Sequence, residues 1–214
     1  MRGLFISFEG TEGCGKSTQI ELLRDKMQSE GHRVLLVREP GGTKLGEAVR
    51  ELLLRPAGDN GTPLSAQAEL LLFAASRAQL VREKIAPALA DGVHVIADRF
   101  LDSTTVYQGF GRGLDLIAVS QINSFVIGFH RPEITFLLDL DAAAGHARAL
   151  ARSGGRPDRM ESEPIEFFEK VRAGYLHVAR EEKGRLTVLD AEDSPAALAE
   201  KIWEKVSARL AGRH

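Results

Sequence analysis

Gly10-Thr11-Glu12-Gly13-Cys14-Gly15-Lys16-Ser17 is the stretch from which the fold of this chain can be read. These residues fit the spacing G-x-x-x-x-G-K-[ST] in full. They follow an apolar run, Leu4 to Phe8, and open an amphipathic stretch, Lys16 to Ser29. Glycines at these places let the backbone curl until successive amide N–H groups point inward at phosphate oxygens, and the helix that follows adds the partial positive charge of its N-terminus. Residues Gly10, Thr11, Glu12, Gly13, Cys14, Gly15, Lys16, Ser17 and Thr18 are therefore the expected phosphate-binding run. Within it, Lys16 brings a formal charge to the terminal phosphates and the Ser17 hydroxyl is a ligand for Mg²⁺. Cys14 reads as a small filler of the loop, because phosphoryl transfer needs no thiolate.

Working outward, short apolar runs alternate with longer amphipathic stretches. Leu4 to Phe8, Val34 to Val37, Val93 to Ala97, Ile134 to Leu138 and Leu186 to Leu189 read as buried strands. Lys16 to Ser29, Leu45 to Leu54, Ser65 to Leu89, Leu116 to Phe129, Ala142 to Ala151, Pro164 to Glu182 and Pro195 to Leu210 carry apolar residues at three- and four-residue spacing and read as helices. Breaks fall at Gly41-Gly42, Arg55 to Pro63, Gly109 to Gly113 and Ser153 to Asp158. Five strands separated by helices predict an α/β fold with a five-stranded parallel sheet covered on both faces, since parallel strands need crossover connections. Ligands of such sheets bind beyond the carboxyl ends of the strands.

Composition narrows the class. At 214 residues the chain reads as one domain, 1–214, able to bury a sizeable core. One cysteine permits no internal disulfide and points to a reducing, cytoplasmic compartment. A formal charge of -2 argues against bulk binding to nucleic acid or to an anionic membrane. No apolar run approaches the ~18 residues that span a bilayer, and Met1 to Phe8 lacks the longer apolar region of a signal peptide, so a soluble, unprocessed protein is expected.

The third apolar run leads straight into Asp98-Arg99. An acid at the end of a central strand beside a phosphate loop suits a Mg²⁺-associated carboxylate acting through bound water. The planar Arg99 guanidinium could bridge the transferring phosphoryl group and its acceptor, which makes Lys16, Arg99 and Asp98 the expected catalytic set.

Phe8-Glu9-Gly10, Arg38-Glu39-Pro40-Gly41-Gly42-Thr43, Phe73-Ala74-Ala75-Ser76-Arg77, Asp98-Arg99-Phe100, Ser103 and Tyr107-Gln108-Gly109 occur in this order, and together they resemble the thymidylate kinases up to about Tyr175. The resemblance implies a P-loop nucleoside monophosphate kinase that moves the γ-phosphoryl group of ATP to dTMP with Mg²⁺, working as a homodimer. Phe73 and Arg77 lie four residues apart on one helical face, as a ring able to stack on a base and a fork able to donate to it; resemblance makes that base thymine. By the same resemblance Ser103, Thr104 and Gln108 line the base pocket, and Tyr107 packs where a ribose 2′-hydroxyl would sit. Glu12 accepts from the sugar 3′-hydroxyl. Arg50, with Arg38, holds the acceptor phosphate, and Glu39 orients them or a metal-bound water. The basic stretch 148–161, with Arg152, Arg156 and Arg159, resembles the family's lid in its bacterial type; which of the three reaches the donor phosphates stays open.

An anionic phosphate acceptor needs no general base, so the chemistry expected is alignment of two polyanions by cationic groups. Two other readings compete. A kinase for another monophosphate or for a deoxynucleoside keeps the class; a P-loop regulatory switch changes it, but guanine-reading switches usually carry Asn-Lys-x-Asp, which is absent.

Overall fold

All five apolar runs form strands, and each strand ends one residue later than its run, on a charged side chain. β1 is Phe5–Glu9, β2 Val34–Arg38, β3 His94–Asp98, β4 Ile134–Asp139 and β5 Leu186–Asp190. The backbone ladder continues where the apolar pattern stops, because its hydrogen bonds need no apolar side chain. The computed structural model describes residues 1–55, 64–152 and 158–212.

The strands pair in parallel in the order β2-β3-β1-β4-β5. The chain thus fills one side of β1 first and then crosses to the other, which leaves β1 central at the place where ligands of such sheets bind. Phe8 stands opposite Asp98 on one side and Phe136 on the other. This register sets the loop after β1 beside Asp98 and Arg99, and the Arg99 N–H prolongs the ladder by donating to Phe8 O at 3.0 Å.

Side chains alternate across β1 as the pleat requires. Leu4, Ile6 and Phe8 pack with Ile20, Leu23 and Met27 of α1 (Lys16–Ser29) and with Leu198, Ile202 and Val206 from the carboxyl-terminal helix Pro195–Ala211. Phe5 points to the opposite layer, with Leu80, Ile85 and Phe100. Each such side chain, fully buried, stabilises the fold by about 1.5–3 kcal/mol before entropy is counted. α2 (Lys44–Leu54) is capped by Thr43, whose hydroxyl accepts from Gly46 N–H at 3.0 Å.

Two helical stretches depart from the expected pattern. The stretch expected as one regular helix, Ser65 to Leu89, is α3 (Ala66–Leu80), a π-helical turn (Val81–Ile85) and α4 (Ala86–Ala90). The wider turn, closed by Ala86 N–H on Val81 O, ends two residues before Pro87, whose ring would crowd the carbonyl four residues back in a regular helix. The second departure follows α5 (Leu101–Thr104), where a π-helical turn runs through Thr105–Gly111 although Gly109 to Gly113 read as a break. Gly111 serves close packing there: a Cβ on it would lie 2.7 Å from Phe167. The remaining helices are α6 (Leu116–Ile127), α7 (Ala142–Arg152), α8 (Ile165–Glu181) and α9 (Pro195–Ala211).

Candidate active site

A cavity of about 590 Å³ opens over the carboxyl ends of β1, β2 and β3. Its walls bring together Glu12, Gly13, Gly15, Lys16, Ser17 and Thr18 from the loop and α1, and Arg38, Glu39 and Arg50 from the β2–α2 region. Phe73 and Arg77 from α3 join them, with Asp98, Arg99, Ser103, Thr104, Tyr107 and Gln108. Gly10, Thr11 and Cys14 do not line it. Cys14 is buried in the core behind the loop, as a filler would be.

Lys16 Nζ rests on the loop's own backbone, 3.1 Å from Gly10 O and 2.9 Å from Thr11 O, with Cys14 Sγ at 3.5 Å. Gly13 has φ 74°, and a Cβ there would meet Gly145 O at 2.5 Å and Arg148 Cβ at 2.9 Å. A side chain at position 13 is excluded by α7 itself, which presses on the loop. Arg148 from that helix lines the cavity, as do Asp158 and Glu161; all three fall in the stretch 148–161 expected as the lid, though none was singled out there as a contact. The signal available was the basic spacing Arg148, Arg152, which on a helix places both on one face.

Arg99 occupies the centre. Its φ of 68° is in the left-handed region, which a non-glycine residue adopts at a cost of roughly 1–3 kcal/mol. Nη2 pairs with Glu12 Oε1 at 2.7 Å, and Nη1 donates to Gly10 O at 2.9 Å and to the Ser103 and Tyr175 hydroxyls at 3.2 Å each. The guanidinium also lies over the Tyr107 ring, 5.2 Å from its centroid. Tyr107 OH in turn donates to Glu12, 2.9 Å from each carboxylate oxygen. Burial works to raise the Glu12 carboxyl, but Arg99, Lys16 and the Tyr107 hydroxyl outweigh it and hold the group below its usual range. Glu12 is thus a fixed anion amid cations, available as an acceptor.

Arg77 is 1% exposed. Nε donates to Glu39 Oε2 at 2.8 Å, Nη1 to Asn123 Oδ1 at 2.8 Å, and Nη2 to Thr104 Oγ1 at 2.8 Å and Phe100 O at 3.2 Å. Of its five N–H groups, one on Nη1 is left for a ligand. Glu39 was expected to orient Arg38, Arg50 or a metal-bound water; its carboxylate instead pairs with Arg77, and Oε1 is buried without a partner. Burial pushes the Glu39 carboxyl up, against the pull of Arg77. Arg38 pairs with Glu47 at 2.9 Å and Arg50 donates to Pro40 O at 3.0 Å. Burial, aided by neighbouring Arg38, lowers the Arg50 pKa.

Three expectations need correction or restriction. Arg159, expected near the donor phosphates, does not line the cavity: Nη1 pairs with the buried Glu69 at 2.7 Å and Nε donates to Leu53 O at 2.7 Å. The buried carboxylate of Glu69 draws it there, together with Arg112 at 3.1 Å. Gln108 lines the cavity, yet its amide donates one N–H to Glu69 at 2.8 Å, which leaves the other N–H and the carbonyl end for a ligand. Arg156 and the Arg152 side chain lie outside the described residues.

A phosphate loop and an Asp-Arg pair at the head of one cavity, on this parallel sheet, define a P-loop kinase of small phosphorylated molecules. A sequence model of the family described as thymidylate kinase matches residues 8–202. The chain belongs to the thymidylate kinase family. It is 48% identical to the thymidylate kinase of Trichlorobacter lovleyi over 212 residues, which cover 97% of this chain and 99% of the relative. It is 46% identical to that of Desulforudis audaxviator over 215 residues, covering 100% of this chain and 94% of the relative. The crystal structure of thymidylate kinase from Ehrlichia chaffeensis superposes with a TM-score of 0.71 at 36% identity, covering 88% of this chain and 93% of that one.

Proposed function

We propose that this chain transfers the γ-phosphoryl group of ATP to dTMP, giving dTDP for dTTP synthesis. One observation carries the reading: the phosphate loop, Arg99 and the Phe73–Arg77 face line a single cavity, so donor and acceptor phosphates would meet at Arg99. Lys16, the loop amides and Arg148 would receive the donor phosphates; Arg38 and Arg50 would hold the acceptor phosphate. Phe73 stacks on the base, the remaining Arg77 N–H donates to it, and Tyr107 excludes a 2′-hydroxyl. Glu12 accepts from the 3′-hydroxyl.

The oxygen donors of Ser17 and Asp98 line the same cavity, and among the described residues no cluster of three His, Cys, Asp or Glu side chains could cage a metal. That donor set fits Mg²⁺, which takes most of its ligands from phosphates and water. When bound, Mg²⁺ supplies neutralisation of donor-phosphate charge. The residues themselves align two anions and keep water out, and no side chain has to remove a proton.

The whole chain, 1–214, acts in this reading as one kinase domain, with 148–161 as its lid, in the cytoplasm. No helix among the described residues is long and apolar enough to cross a membrane. We further infer a homodimer, supported by the exposed apolar side chains Leu71 on α3, Ile117 and Phe125 on α6, and Phe129 just beyond it. Phe125 is 90% exposed, so Phe125→Asp should shift the protein to a monomer in sedimentation. An unchanged sedimentation coefficient would remove this face from the interface.

The test of function is ADP release with ATP, Mg²⁺ and each nucleoside monophosphate in turn. Turnover with dTMP should exceed that with every other acceptor by roughly 10-fold or more. Equal rates across the panel would reject the assignment.

A further inference from the structure

Glu9 closes β1, directly before the phosphate loop, and is fully buried, yet none of the roles above uses it. Burying a carboxyl is costly unless its oxygens are satisfied. Here they are. Oε1 accepts from Phe100 N–H at 2.8 Å; Oε2 accepts from the Ser103 hydroxyl at 2.6 Å and the Tyr175 hydroxyl at 2.9 Å. Those two hydroxyls lie 2.8 Å apart, and both accept from Arg99 Nη1.

The polarity of this cluster is its point. A hydroxyl has one proton and two lone pairs, so it can present either to a neighbour. By drawing the Ser103 and Tyr175 protons toward Oε2, Glu9 leaves only lone pairs facing Arg99, which has nothing to offer but N–H groups. A residue whose hydrogen bonds go to Phe100, Ser103 and Tyr175 thereby decides that both hydroxyls receive the guanidinium.

We propose that Glu9 is a positioning residue for phosphoryl transfer: through Ser103 and Tyr175 it holds the Arg99 guanidinium between Glu12 and the Gly10 carbonyl. This rests on the kinase reading above. The groups facing Glu9 are Arg99, Ser103 and Tyr175, with Asp102 nearby, itself paired to Arg185 at 2.7 Å. Burial, with Asp102, raises the Glu9 pKa to about 7, so the carboxylate is kept where its surroundings oppose the charge. The assay therefore belongs at pH 8, where the charged form predominates.

Glu9→Gln keeps the size and the bond from Phe100, but puts a donor or a weaker acceptor where Oε2 stood. The hydroxyls can then turn their protons toward Arg99. In the wild-type background kcat should fall on the order of 10-fold, as small misplacements of an aligned group do, with KM for ATP nearly unchanged. In an Arg99→Ala background the same change should lower kcat by under about twofold, because the group it positions is gone. An equal loss in both backgrounds, or a loss confined to KM for ATP, overturns the proposal. Should Glu9→Gln fail to fold, Tyr175→Phe carries the same cycle, since it removes one of the two hydroxyls and keeps the ring. If Arg99→Ala alone leaves kcat intact, the kinase reading of Arg99 falls; if it lowers kcat but the cycle is additive, only the role of Glu9 falls.

Discussion

Arg99→Ala is expected to lower kcat about 100-fold or more, a loss of at least ~2.7 kcal/mol of transition-state stabilisation. Arg99 stands between the loop that would hold the donor and the Arg38–Arg50 wall that would hold the acceptor phosphate. During transfer, charge spreads over the equatorial oxygens of the moving group, and a fixed fork of N–H donors strengthens its hold as it does so. An interaction realised mainly in the transition state lowers kcat and kcat/KM together when it is removed. Arg99→Lys should recover little, because an ammonium cannot serve Glu12, Gly10 and the two hydroxyls along one plane. Steady-state kinetics over both substrates checks this, and a drop of less than threefold in kcat would refute the central role of the residue.

Arg77→Ala should have its largest effect on stability. Truncation leaves the Glu39 carboxylate buried with neither oxygen paired, and removing one partner of a buried ion pair costs ~3–5 kcal/mol. For a chain of this length that corresponds to a melting temperature lower by roughly 6–20 °C. The loss depends on pH in a defined direction. A carboxyl whose pKa is raised in the folded state keeps a proton that the unfolded chain has released, so its folded state weakens as pH rises above the unfolded value of ~4.3. Burial already raises Glu39, and losing Arg77 raises it further. The gap between variant and wild type should therefore be wider at pH 8 than at pH 5. Glu39→Gln added to Arg77→Met should recover part of the loss, since both charges are then gone. Calorimetry decides it: a midpoint within 3 °C of wild type at pH 8 would show that the pair is not what holds α3 to the segment after β2.

The phosphate loop, the Asp98-Arg99 pair and the strand–helix alternation were legible because each is local: loop curvature, strand end and helical period are written in neighbouring residues. The polarity of the centre was not. Glu9 meets Ser103 and Tyr175 across 94 and 166 residues of chain, and no spacing rule links them. Arg159 shows the same limit from the other side. A basic residue in a loop rich in arginine looks like part of a phosphate grip, and only folding brings Glu69 to it. Arg148, although inside the stretch expected as the lid, was not singled out, because the phosphate-loop pattern gives no hint that a helix will press on Gly13. The π-helical turns were missed because each is a short insertion in a helical run, marked by its i→i+5 backbone partner rather than by residue type.

Lys16, whose ammonium leans on the carbonyls of Gly10 and Thr11, bears on the thermodynamics of nucleotide capture. In the proposed reading a triphosphate's oxygens would replace those carbonyls; one set of acceptors would be exchanged for another, and the net gain would be far smaller than the gross attraction between charges. Calorimetric titration should accordingly record a modest enthalpy for this contact.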